Sequence, residues 1–155
     1  MDFVQNFPFF SIILCMFCGI ISSVLDGKKA RNLCFGCVGM VTLLSSAVLC
    51  YTAVTNQSFT YMMGHFPAPW GNEIRAGVLE GVLSTVFSVV QLLSLVSAYH
   101  RTAEDIESTK LNLFYLLVDL LLSSLLAIIY TNDLFTGYVF VEINTLAACG
   151  LIAIR

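Results

Sequence analysis

Asn32-Leu33-Cys34-Phe35-Gly36-Cys37-Val38-Gly39-Met40-Val41-Thr42-Leu43-Leu44-Ser45-Ser46-Ala47-Val48-Leu49-Cys50-Tyr51-Thr52-Ala53-Val54-Thr55 contains no formally charged side chain, and none appears from Asn32 until Glu73. A helix that crosses a hydrocarbon core needs about 20 apolar residues at about 1.5 Å of rise each. This stretch meets that requirement. Four more do so: Phe7–Leu25, Gly77–Tyr99, Leu111–Tyr130 and Leu134–Ile154. The sequence therefore predicts an all-α membrane protein, a single transmembrane domain over residues 1–155 with helices at 7–25, 32–55, 77–99, 111–130 and 134–154.

Bulk composition agrees. The 155 residues are 58% hydrophobic and 11% charged, with a mean hydropathy of +0.88, whereas soluble domains carry about 25% charged residues. The longest polar stretches, Asn56–Arg75 and His100–Lys110, are too short to bury a core of their own. The first apolar segment follows Met1-Asp2 without a basic n-region or a small-residue cleavage pattern, so it is expected to be a retained helix rather than a signal peptide. The net charge of −3 is dispersed over short loops. No basic run points to nucleic acid, and the lipid bilayer is the first expected partner.

Loop charges orient the chain. Lys28, Lys29 and Arg31 lie in the first loop, Arg101 and Lys110 in the third, and Arg155 at the last position. If the helices alternate, all six share one side, and Arg75 stands on the other. Cytoplasmic loops are the ones enriched in Lys and Arg, which puts the N-terminus outside and the C-terminus in the cytoplasm.

The long outer loop has a pattern. Thr52–Met63 alternates and is rich in Thr, Tyr and Phe, and Gly64-His65-Phe66-Pro67-Ala68-Pro69-Trp70-Gly71 punctuates it before Asn72–Ala76. Such a pattern predicts a short outer β-hairpin over about 56–76, with the prolines at a turn or edge. Trp70 is explained by the membrane interface, and His65 by solvation in a turn.

Acids within apolar helices carry the most functional information, because a carboxylate in hydrocarbon costs several kcal/mol unless it is paired, hydrated or protonated. Asp119 lies about 12 Å into the fourth segment and Glu142 about as deep in the fifth. Glu80 is about one turn from the outer end of the third, where it can reach water or serve as a helix start. These three are the candidate ion-translocation residues. Against each stands a structural alternative, a hydrogen bond or ion pair to a neighbouring helix.

Two stretches carry a family resemblance. Gly64-His65-Phe66-Pro67-Ala68-Pro69-Trp70-Gly71-Asn72-Glu73-Ile74-Arg75 resembles the outer hairpin before the third helix of the antiporter-like subunits of respiratory complex I, and especially of the D-type subunit of the Mrp sodium/proton antiporters. Thr131-Asn132-Asp133-Leu134-Phe135-Thr136-Gly137-Tyr138-Val139-Phe140-Val141-Glu142 is similar to the family's T-G-D-L-F-N-x-[FY]-V-F-F-E run, and Ala147-Ala148-Cys149-Gly150-Leu151-Ile152 to the family's residues after that glutamate. The chain departs from the family pattern at Gly77, where an acid is usual, at Asn132, and at Asp119. The resemblance implies that Glu142 is the fifth-helix glutamate of a proton or cation pathway. It also implies a partner lysine on a later, interrupted helix. The expected partners are therefore H⁺ or Na⁺ and the other membrane subunits of an antiporter or respiratory complex, among them a chain carrying the lysine-bearing helices. The expected setting is a prokaryotic plasma membrane.

Cys15-x-x-Cys18 and Cys34-x-x-Cys37 form a double CxxC pattern, which in a soluble protein would suggest zinc or an iron–sulfur cluster. On membrane helices toward the inner end, i, i+3 cysteines are expected instead to be small packing residues. Gly36/Gly39, Ser45/Ser46 and Ser123/Ser124 are read as faces for close helix packing. No phosphate loop, HExxH, hydrolase triad or dinucleotide fingerprint is present. Neither cofactor, nor metal, nor a catalytic centre of its own is expected. The functional expectation is a truncated or split part of an ion-translocating antiporter-like subunit of an Mrp-type antiporter or an NADH:quinone-type oxidoreductase. The alternative is a small non-transporting assembly component or remnant of such a complex.

Overall fold

The computed structural model describes residues 3–62, 73–99, 101–102, 106–107 and 109–154. Five helices among them are long and apolar enough to cross a membrane. They are α1 (Phe7–Val24), α2 (Gly27–Thr55), α3 (Val78–Ala98), α4 (Leu111–Tyr130) and α5 (Leu134–Ala153). A short 3-10 turn, Phe3–Asn6, precedes α1.

The main difference from the sequence-based bounds is at α2, which starts at Gly27 rather than at Asn32. Asp26 is extended and its carbonyl accepts from Ala30 N at 2.9 Å, so Lys28, Lys29 and Arg31 belong to the first turns of the helix and not to a loop. Long basic side chains tolerate this because their stems lie along apolar surface while the charges reach water. At its other end α2 runs to Thr55, so the alternating Thr52–Thr55 is helical. Asn56 closes the helix in the left-handed region at φ 50°, a conformation that Asn tolerates better than most residues.

Strands β1 (Phe59–Met62) and β2 (Glu73–Ala76) pair antiparallel, with Phe59 opposite Ala76 and Met62 opposite Glu73. The expected turn Gly64–Gly71, with His65 and Trp70, lies outside the described residues. The hairpin is seated on the bundle: Ile74 forms a bridge with Thr131, and Asn132 N donates to Glu73 O at 2.9 Å. Ile74 and Ala76 are buried beneath it.

Helix α4 is the centre of the bundle, packing against α1, α2, α3 and α5. Small residues set the closest approaches. A Cβ on Gly19 of α1 would stand 3.3 Å from Leu116 O of α4, and one on Gly81 of α3 would stand 3.0 Å from Leu49 Cα of α2. The expectation for Gly36 and Gly39 fails, because a Cβ at either position would meet nothing within 4 Å. Ser45, Ser123 and Ser124 are buried, as a packing face requires. Polar groups tie the helices across the apolar interior: Tyr130 OH donates to Ser84 Oγ at 2.7 Å, and Ser123 Oγ to Ile12 O at 3.1 Å.

The two ends of the bundle are distinct. At one end Asn112 Nδ2 donates to Ser23 O at 2.7 Å, and the Arg31 guanidinium stacks 4.3 Å from the Tyr99 ring centre. At the other, the hairpin meets the Thr131–Asp133 connection. The basic turns thus gather at one end and the hairpin at the opposite one.

Candidate ion-translocation site

Helix α5 begins with a side-chain cap that residue pattern alone does not single out. Asp133 Oδ2 accepts from Thr136 N at 3.0 Å and from Thr136 Oγ1 at 2.7 Å, and Oδ1 accepts from Phe135 N at 3.4 Å. Carboxylates at helix N-termini satisfy amides that have no partner within the helix. The Thr136 hydroxyl and then its amide hold the Asp133 carboxyl below the usual carboxylate range. The stretch Thr131–Glu142 is therefore a helix-starting device that sets the depth of its last residue, about 13 Å of helix beyond Asp133.

Glu142 is exposed on α5, and Ala147 is the buried residue of that helix. Phe135 at 76%, Tyr138 and Leu146 are also exposed on this helix, and the Tyr138 hydroxyl donates to the Glu142 carboxylate. α5 packs against α4, and Asn144 Nδ2 donates to Ser124 Oγ at 3.2 Å across that contact. The Glu142 carboxylate is thus exposed about midway along α5.

Asp119 has the opposite environment. It is 0% exposed, and its Oδ1 accepts from Cys34 Sγ of α2 at 3.1 Å. Its Oδ2 is buried without a hydrogen-bond partner among the described residues. Gly19 of α1 provides the room, since a Cβ there would be 3.4 Å from Asp119 Cβ. Neither hydrogen bond nor ion pair joins Asp119 to Glu142 among the described residues. Glu80 belongs to a third place, the start of α3, where its Oε2 accepts from Gly77 N at 2.9 Å. The three candidate acids thus occupy three separate places in the bundle, and Glu80 stands at the helix start that its position in the sequence suggests.

The cysteines converge. Cys37 Sγ lies 3.8 Å from Cys15 Sγ, and Cys15, Cys18, Cys34 and Cys37 are buried free thiols at the crossing of α1 and α2 beside Asp119. Among the described residues, no three His, Cys, Asp or Glu side chains are arranged to hold a metal ion. Cys34 and Asp119 each lie about 10–12 Å into helices that start from the same end, a match that appears only once α2 is seen to begin at Gly27 rather than at Asn32.

A relative from Desulforudis audaxviator (strain MP104C), "NADH-quinone oxidoreductase subunit N", is 37% identical over 119 residues, or 74% of this chain. The chain belongs to the antiporter-like membrane-subunit family. Its fold matches a chain of the Mrp complex from Dietzia sp. DQ12-45-1b over 100% of its length, with a TM-score of 0.85 and 17% identity. It matches a chain of the archaeal membrane-bound sulfane sulfur reductase over 94%, with a TM-score of 0.77 and 19% identity. No protein-family profile matches the chain. This antiporter-like chain spans 23% of the length of the curated relative and 28% and 29% of the two solved chains.

Proposed function

We propose that this antiporter-like chain contributes the acidic part of an ion pathway, with Glu142 as the group that takes up and releases a proton or sodium ion. The observation that carries the reading is the exposed Glu142 carboxylate on α5, which the Tyr138 hydroxyl engages from one turn earlier among otherwise apolar exposed side chains. A carboxylate at that depth calls for a basic partner, a bound cation or water. Further helices, on this or another chain and bearing a lysine, supply the partner against the exposed face of α5. Asp119 and Glu80 are subsidiary, since one Asp119 oxygen is engaged by Cys34 and the Glu80 carboxylate by the Gly77 amide. The complex is an Mrp-type antiporter or a quinone-reducing oxidoreductase, in a prokaryotic plasma membrane with the basic loops facing the cytoplasm.

A hydrophobic carbodiimide tests this placement, because it adds to protonated carboxyls from the lipid phase. The expected result in native membranes is modification at Glu142, mapped by peptide mass spectrometry, with parallel loss of ion exchange. Modification confined to Asp119 or Glu80 would contradict the assignment.

A further inference from the structure

A cleft of about 740 Å³ opens between the last turns of α3 and the end of α5. Packed interiors leave few voids larger than a water molecule, whereas ligand clefts hold about 300–1,000 Å³. Val90 and Ser97 of α3 form one wall, Leu151 and Ile154 the other, and Phe114 of α4 the floor. Arg101 lies at one end and is the charged residue among the described lining residues. The groove is thus polarised lengthwise. From Val90 to Ser97 its wall runs about 10 Å along the helix, within the roughly 15 Å that one leaflet contributes to the hydrocarbon core. Its guanidinium end lies just past the helix terminus, at the bundle end where Lys28, Lys29, Arg31 and Lys110 also gather.

We infer that this groove binds one anionic phospholipid, its phosphate against Arg101 and an acyl chain along Val90, Phe114 and Leu151. A largely apolar groove about 10 Å long that ends in a guanidinium suits an acyl chain's upper segment below an anionic headgroup. Guanidinium is well suited to phosphate, which it can engage by two parallel hydrogen bonds. The lipid would bridge α3 and α5 across this cleft and would steady the end of the helix that carries Glu142. The inference requires only that the chain sits in a bilayer, not that Glu142 transports an ion.

The chain as it exists is reconstituted into vesicles of phosphatidylcholine with phosphatidylglycerol, re-extracted in mild detergent and examined by native mass spectrometry. One phosphatidylglycerol per chain should be retained, favoured about fivefold over phosphatidylcholine, the effect of one basic residue near the membrane surface. Arg101→Gln should remove that preference. Ser97→Trp should fill the trough and exclude both lipids, and Glu142→Gln should change neither. Equal retention of the two lipids by the unmodified chain would overturn the proposal. So would crosslinking of a Ser97→Cys chain to a protein helix in native membranes, which would show that a polypeptide occupies the groove.

Discussion

At the residue scale, the roles of the acids follow from what each carboxylate touches. Asp119 is enclosed by α1 and α2 with Cys34 as its donor, Glu80 accepts the amide of Gly77 just before its helix, and Glu142 is exposed on α5. Glycines divide in the same way by their surroundings. A Cβ at Gly81 would press on the Leu49 backbone at 3.0 Å, which must shift because neither helix has a flexible side chain there to yield. Gly81→Val should therefore destabilise the chain by about 1–3 kcal/mol, the usual cost of overpacking. Gly36→Ala, facing open space inside a helix, should leave stability unchanged or raise it by up to about 1 kcal/mol, because alanine is the better helix former. Thermal unfolding in detergent micelles measures both; similar losses at the two positions would contradict the packing described.

At the element scale, α5 depends on its cap more than on burial, since Ala147 is its buried residue. The Asp133 carboxyl has its folded-state pKa lowered by the Thr136 hydroxyl and amide. A lowered pKa means that the stabilisation is complete above the unfolded carboxylate value, near pH 4, and is lost as pH falls through the folded value. The difference in unfolding midpoint between the native chain and Asp133→Ala should be constant from about pH 7 to pH 5 and shrink below about pH 4. A difference that grows on acidification would rule out the cap as its source. The sequence made the helices legible because an apolar run of bilayer length admits few other readings. Boundaries were less legible where charge and helix overlap, as at Lys28, Lys29 and Arg31 in α2.

At the scale of the whole molecule, the hairpin and the Thr131–Asp133 connection share one end, and the basic turns share the other. Reporter fusions should place residue 1 outside and residue 155 in the cytoplasm, as the distribution of Lys and Arg requires. Activity of both reporters on one side would contradict a five-span path. The candidate site was partly legible. Residue type and depth singled out Asp119 and Glu142, yet the direction each faces depends on which helices neighbour α4 and α5, and hydropathy does not encode that. Depth alone puts Cys18 and Cys37 at one level on neighbouring helices, whereas the Cys15–Cys37 contact follows from how α1 and α2 cross.

The central claim is that the Glu142 charge is the functional group and Asp119 a lesser one. Its most direct test is ΔpH-driven cation exchange in inverted vesicles that contain the assembled complex. Glutamine keeps the shape and hydrogen bonding of glutamate but cannot carry its charge. Glu142→Gln should reduce exchange to about one tenth or less at normal abundance of the complex, as loss of a proton-transferring group does. Glu142→Asp should retain part of the activity, and Asp119→Asn most of it. Full exchange by the Glu142→Gln complex at normal abundance would contradict the account and leave Glu142 as a helix-packing residue.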